Sequence, residues 1–140
     1  MTDMTFENST YSKTYNFYKL EMPFGNFFFC DKFIISEINA EVHFDWNKIE
    51  LVLKEAIKFY GLNAKLGYIS NRVNSYSVDP QDWAKIAIQS NMMAGSSIVY
   101  YNYMMYLNAT LEKRFSVVKM HPCLSLDEAI EWISNLDELN

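Results

Sequence analysis

The fold is decided by the stretch Tyr68-Ile-Ser-Asn-Arg-Val-Asn-Ser-Tyr-Ser-Val-Asp-Pro-Gln-Asp-Trp83, where an apolar strand gives way to a polar loop and then to a helix. Asp79 and Pro80 predict the helix start, because Asp is a good N-cap and Pro is favoured at the first helical position. A loop that feeds a helix N-terminus exposes unpaired N–H groups and the positive end of the helix dipole. We therefore expect this loop to be a binding site and the rest of the chain to be its scaffold.

Upstream of this stretch the pattern is typical of strands. Residues 17–30 are strand-like with a break at Pro23-Phe24-Gly25, and the run Phe27-Phe28-Phe29 puts aromatic side chains on both faces of a sheet. Asp31 and Lys32 can turn the chain into a second β-branched run, residues 33–38. A hairpin is therefore predicted for the antiparallel part of the sheet.

Helices and strands alternate over the remaining chain. Asp45 is a good N-cap for a helix that ends at Gly61, and Ser125 to Glu128 form a capping box for the last helix. Between these helices the pattern predicts strands over 66–70, 94–101 and 115–120, and a helix over 103–114 with Leu107 and Leu111 facing inward. The predicted order is β-β-α-β-α-β-α-β-α, which indicates a single α/β domain with a mixed sheet.

Composition narrows the class of protein. The chain has 140 residues, half of them hydrophobic, and a formal charge of −5. That charge excludes a duplex nucleic-acid surface, and no apolar run reaches the roughly 20 residues that span a bilayer. Residues 1–15 are rich in Ser, Thr and Asn and predict a flexible leader, followed by one domain over 16–140. Without an export signal, Cys30 and Cys123 are expected to be free thiols in the cytoplasm, with Cys30 buried.

The pattern resembles the STAS and SpoIIAA-like (STAS/SEC14-type) group of small bacterial proteins over residues 18–136. The sequence segments that carry this resemblance are Tyr68 to Ser77, Asp79-Pro80, Trp83 and Leu126-Asp-Glu-Ala-Ile-Glu-Trp132. In the anti-sigma-factor antagonists of the wider group, the corresponding loop carries a phosphorylatable Ser in an Asp-Ser-Ser-Gly-like motif. Here the loop lacks that Gly, so Ser75 and Ser77 match by position only.

Two regions are candidate sites. The first is the loop, whose residues are either turn formers or donors for an anion or a protein partner: Ser70, Asn71, Arg72, Asn74, Ser75 and Ser77. The second is the Met- and Tyr-rich region 92–106, which is either core, a homodimer surface or an apolar-ligand surface: Met93, Tyr100, Tyr103 and Met104.

The sequence gives little support for metal binding or catalysis. His43 and His121 lack companions at metal-ligand spacing, so no metal and no cofactor are predicted. Glu37 and Glu41 are a weak carboxylate pair. No nucleophile and base can be paired from the sequence, so we expect no enzyme. The leading hypothesis is a non-enzymatic cytoplasmic regulatory or protein-interaction module that acts through loop 70–79. The alternative is a small apolar-ligand or lipid-type binding protein that uses region 92–106.

Overall fold

The computed structural model describes residues 4–139 and contains a mixed six-stranded sheet with helices on both faces. Its strand order is β1-β2-β3-β5-β7-β8, and a separate two-stranded sheet pairs β4 with β6. The elements in chain order are α1 (Tyr11–Thr14), β1 (Tyr18–Met22), β2 (Gly25–Phe29), β3 (Phe33–Ile38), β4 (His43–Phe44), α2 (Trp46–Tyr60), β5 (Leu66–Asn71), β6 (Ser77–Val78), α3 (Asp82–Gln89), β7 (Met93–Val99), α4 (Tyr103–Lys113), β8 (Lys119–Cys123), α5 (Leu126–Ser134) and a 3-10 turn (Asp137–Leu139). The predicted α/β class is confirmed.

Three antiparallel strands open the sheet, one more than the sequence predicted. The break at Pro23 to Gly25 is a full reversal, since β1 pairs antiparallel with β2 and β2 pairs antiparallel with β3. Gly25 is required there, because a Cβ atom would lie 2.6 Å from the carbonyl oxygen of Glu37. From β3 onward the strands are parallel, as expected for strands separated by helices.

The sheet buries one apolar cluster on each face. Phe28 packs with α5, whereas Phe27 and Phe29 pack with α2, so the Phe run covers both faces as predicted. The four apolar residues predicted for the inner face of the last helix are all buried: Leu126, Ala129, Ile130 and Ile133. The other face is covered by α2, α3 and α4.

The described part of the predicted leader is folded against the sheet. Phe6 is fully buried, and its ring lies 4.7 Å from that of Phe28 and 5.0 Å from that of Phe17. Tyr11 donates a hydrogen bond from its hydroxyl to Asp127 at the start of α5. The expectation of flexibility is therefore wrong for residues 4–15, because the aromatic rings of Phe6, Tyr11 and Tyr15 pack against the core. Residues 1–3, like residue 140 at the other end, lie outside the described residues.

Several predicted boundaries also shift. Asp79 does not cap a helix; it begins a turn, and α3 starts at Asp82. Of the predicted strand over 115–120, residues 115–118 form turns and bends, and β8 begins only at Lys119 and runs to Cys123. Leu107 and Leu111 are exposed, because α4 buries a different face. In contrast, Asp45 and Ser125 cap their helices by accepting hydrogen bonds from the N–H groups of Lys48 and Glu128.

Within residues 4–139, none of the helices combines the length and apolar character needed to cross a membrane.

Candidate functional site

The loop between β5 and α3 is held in place by the segment that precedes α2. β6 pairs in parallel with β4, and the backbone N–H of Ser77 donates to the carbonyl of Val42 at 3.0 Å. The side-chain amide of Asn74 donates to the carbonyl of Ile38 at 3.1 Å, and the N–H of Glu41 donates to the carbonyl of Ser75 at 2.7 Å. Hydrogen bonds to the segment that precedes α2 therefore hold the loop in one position.

Arg72 is buried and its charge partner lies inside the protein. Its two terminal nitrogens donate to the two carboxylate oxygens of Glu112 on α4, both at 2.6 Å, and the side chains are only 5% and 3% exposed. The indole N–H of Trp83 donates to the same carboxylate at 2.9 Å, and Nε of Arg72 donates to Ser70 at 3.0 Å. The sequence placed Arg72 on a contact surface; instead it ties β5, α3 and α4 together.

Electrostatics keep this guanidinium charged. Burial alone would lower the pKa of Arg72, but Tyr76 and Glu112 raise it and the net shift is upward. The guanidinium also lies 5.0 Å from the centroid of the Tyr76 ring, whose hydroxyl is 2.7 Å from the hydroxyl of Ser70. Arg72 and Tyr76 thus form a rigid element at the base of the loop.

Ser70 and Asn71 are buried as well, so they hold the fold rather than meet solvent. Asn71 donates from its amide nitrogen to Glu37 at 2.8 Å and to the carbonyl of Met4 at 2.9 Å. Glu37 also accepts the N–H of Phe6 at 2.7 Å. Glu41 is exposed with φ of 67°, and none of the hydrogen bonds of Glu37 is to Glu41. Glu37 is thus enclosed by the N-terminal segment while Glu41 is exposed, and the weak expectation of a carboxylate pair stays a prediction.

Of the six loop residues, Asn74, Ser75 and Ser77 remain accessible. Together with Arg72 and Tyr76, the first two line a groove of about 400 Å³ whose other side is the start of α4. We call it the α4 groove; the residues contributed by α4 and its cap are Asn102, Tyr103, Met104, Met105 and Asn108. Tyr103 is 71% and Met104 65% exposed. Two regions that the sequence offered separately, the loop and the Met/Tyr region, therefore share one surface.

A second concavity lies between α2 and α3 above the sheet, and we call it the α2–α3 cleft. Its enclosed volume is about 90 Å³. Its lining is mainly apolar, with Arg72, Tyr76, Asp79 and Asp82 near the loop; representative apolar members are Ile34, Val52, Leu53, Ile86, Met92 and Met93. Met93 thus belongs to this cleft rather than to the surface of Tyr103 and Met104. Tyr100 lines neither site and packs against Tyr106 at 5.0 Å.

Ser77, His43 and Asp79 form a hydrogen-bonded chain at the outer end of the loop. Nδ1 of His43 is 2.7 Å from the Ser77 hydroxyl, and Nε2 is 3.3 Å from a carboxylate oxygen of Asp79. All three residues are at least partly exposed, and the N–H of Ser77 is already bonded to Val42, so it cannot stabilise an oxyanion. The solvent-exposed imidazole of His43 differs in this respect from the desolvated base of a buried catalytic triad.

One group of possible metal ligands lies elsewhere, at the end of β8. Donor atoms of His121, Cys123 and Glu128 all lie within 4.8 Å of one another. His121 therefore has two possible co-ligands in space, Cys123 and Glu128, which the sequence reasoning did not give it. The absence of a metal stays a prediction.

The sequence and the structure were compared with protein families, curated proteins and solved structures. No family model matches the chain, and no curated protein matches it. Among solved structures, the chain is similar to an uncharacterised protein of the DUF3478 family from Shewanella loihica PV-4, which has a SpoIIAA-like fold. The TM-score is 0.54 over 84% of this chain and 92% of that chain, with 6% sequence identity.

The protein has a SpoIIAA-like fold. The resemblance inferred from the loop and the last helix is confirmed at that level, and at 6% identity the likeness concerns the fold alone. Within this SpoIIAA-like fold, sequence reasoning missed Glu112, Tyr76 and Asp82. Glu112 had a signal, because Met105, Ala109 and Glu112 are spaced as one helical face. The competing face with Leu107 and Leu111 looked more apolar, and the burial of an ion pair decided between them.

Proposed function

We propose that the protein is a non-enzymatic regulatory or interaction module whose partner-binding site is the α4 groove. The observation that carries this proposal is the meeting of Asn74 and Ser75 with Tyr103 and Met104 across one groove. Exposed Tyr and Met side chains supply adaptable apolar contacts, and amide side chains satisfy the backbone of a bound segment. The occupant we propose is a segment of a partner protein.

Preorganisation supports the same proposal. The floor of the groove is Arg72 and Tyr76, which are fixed by Glu112 and Ser70. A surface that is already ordered loses little conformational entropy on binding, which favours affinity. The loop therefore contributes to recognition through Asn74 and Ser75, which are held by hydrogen bonds to Ile38 and Glu41, while Arg72 and Tyr76 form the floor beside them.

The test is partner capture with groove variants and an equally exposed control. We expect the double variant Tyr103→Ser/Met104→Ser to reduce capture of a specific partner by about tenfold or more, since interface anchors of this size are worth over 1.4 kcal/mol. Leu62 and Ile88 are 71% and 81% exposed and lie away from the groove, so Leu62→Ser/Ile88→Ser is the matched control. Equal capture by both double variants contradicts the proposal.

The absence of enzymatic activity belongs to the same proposal. Its support is the exposed chain of Ser77, His43 and Asp79, in which the N–H of Ser77 is already used. We expect no hydrolysis of an activated ester above that of free imidazole, and no change with Ser77→Ala. Turnover that Ser77→Ala abolishes contradicts it.

A homodimer is proposed through the exposed face of α4. Leu107 and Leu111 lie four residues apart on α4, are exposed and lie outside the α4 groove, so they form a separate apolar patch on the helix. Sedimentation should report a dimer that Leu107→Glu/Leu111→Glu converts to a monomer. A monomeric wild-type protein at high micromolar concentration contradicts this proposal.

A cytoplasmic location is proposed as well. Two buried free thiols, Cys30 and Cys123, support the cytoplasm as the compartment of the protein.

A second candidate function is the binding of a small apolar ligand in the α2–α3 cleft. It is favoured by the mainly apolar lining, which few monomeric surfaces expose without use. A small apolar probe such as n-butanol should then shift backbone amide resonances of α2 and α3. Shifts confined to other surfaces contradict it.

A further inference from the structure

Asp82 carries an unpaired, buried carboxylate oxygen at the α2–α3 cleft. The residue is 7% exposed, it lines the cleft, and its Oδ2 has no hydrogen-bond partner among residues 4–139. Buried polar atoms are nearly always paired, because an unpaired one forfeits its hydration without compensation. Because the unpaired oxygen of Asp82 lies next to the α2–α3 cleft, a ligand in the cleft can supply the missing hydrogen-bond donor.

The charged neighbours of Asp82 are engaged elsewhere. Arg72 is paired with Glu112, and the ammonium of Lys85 lies over the Trp46 ring at 4.5 Å from its centroid. His43 lies beside Asp79. Burial raises the pKa of Asp82, and Asp79 raises it further, although Lys85 and His43 oppose the shift. The carboxyl group therefore sits in a site that favours the arrival of a positive donor.

Size and lining define the rest of the ligand. The enclosed volume of about 90 Å³ is smaller than the cavity of about 150 Å³ that holds benzene in an engineered protein. Aliphatic side chains make up much of the lining, among them Val52, Leu53, Ile86 and Met92. A short apolar body fits this space, and its polar end then lies towards Asp82. A turn of the carboxylate about its broad terminal torsion presents Oδ2 to that end.

We propose that the α2–α3 cleft binds a short apolar amine, with the aliphatic body between α2 and α3 and the primary ammonium donating to Asp82. This proposal rests on the second candidate function, the cleft as a ligand site, and adds the class of ligand. A charge-assisted bond in a partly desolvated site is stronger than a neutral one, so the ammonium is preferred over a hydroxyl of the same length. A carboxylate of that length is disfavoured, because it meets the like charge of Asp82.

The test compares three probes that share a butyl chain and differ only at the head group: n-butylamine, n-butanol and pentanoate, each titrated into the full chain and followed by backbone amide shifts in NMR. We expect n-butylamine to bind about tenfold or more tightly than n-butanol, and pentanoate most weakly. Asp82→Asn keeps the shape and removes the charge, so it should reduce the amine affinity to about that of the alcohol. Ile86→Trp fills the cleft and should remove the binding of all three.

The outcomes separate the head-group proposal from the cleft itself. Binding of all probes that Ile86→Trp abolishes, with no preference for the amine or no effect of Asp82→Asn, overturns the amine and leaves the cleft as a ligand site. Absence of binding by every probe, or binding that Ile86→Trp does not affect, overturns both. An amine preference that Asp82→Asn removes supports the proposal, provided that amide shifts show the variant to be folded.

Discussion

Replacement of Arg72 by Ala tests the buried ion pair on which both candidate sites rest. Among residues 4–139, the change leaves the Glu112 carboxylate, 3% exposed, with only the Trp83 indole N–H as a side-chain donor. Removal of one partner from a buried pair costs about 3–5 kcal/mol, because the remaining charge is uncompensated. For a domain whose total stability is about 5–15 kcal/mol, this is a large fraction.

Urea unfolding followed by far-UV circular dichroism measures this free energy. The matched control is the exposed pair of Lys19 and Glu7 at 3.1 Å, where Lys19→Ala should cost no more than about 1 kcal/mol. Arg72→Met/Glu112→Met removes both charges and should recover much of the stability lost in Arg72→Ala. A loss below about 1 kcal/mol in Arg72→Ala, or a double variant as unstable as the single one, refutes the reasoning.

Three further predictions concern the N-terminal segment and the groove. Phe6→Ala should lower the free energy of unfolding by about 3–5 kcal/mol, whereas Phe115→Ala at an exposed ring should change it by about 0.5 kcal/mol or less; similar values contradict the docked segment. Burial raises the pKa of Glu37, although the hydrogen bonds from Phe6 and Asn71 oppose the shift. The contribution of Glu37 to the free energy of unfolding is therefore fully present below its pKa in the unfolded chain, about 4.3, and is lost as pH rises through its pKa in the folded protein. Glu37→Gln should therefore gain stability relative to wild type as pH rises through that window, and a constant difference in urea midpoints from pH 4 to 8 excludes this linkage. Ser75→Asp should weaken partner capture without destabilising the fold, and unchanged capture places Ser75 outside the interface.

Local chemistry was sufficient to predict much of the architecture. Asp45 and Ser125 cap their helices, and the apolar spacing of α5 identified its buried face, because these signals lie within a few residues of one another. The loop after β5 was found for the same reason. The contacts of this loop with residues 38–44 depend on the parallel pairing of β4 with β6. These two strands are distant in sequence, so no local pattern predicts their pairing.

The errors at the site share one physical cause. Arg72 and Glu112 are separated by 40 positions, and each alone is typical of a solvated residue. Without its partner, each would be an uncompensated buried charge. The face of α4 that carries Glu112 also carries the buried Met105 and Ala109, and Leu107 and Leu111 lie on an exposed face. Phe6 was misjudged in the same way, since its polar neighbours indicated a leader while its packing partners, Phe17 and Phe28, come later in the chain.

The central claim is that the α4 groove contacts a partner, and site-specific photo-crosslinking tests it most directly. A benzophenone amino acid placed at position 103, inside the groove, and one placed at position 62, equally exposed and outside it, should differ in outcome. We expect a discrete crosslinked partner from position 103 that Ser75→Asp diminishes, and no such product from position 62. Crosslinks of equal yield and identity from the two positions, or a discrete partner from position 62 alone, would contradict the account.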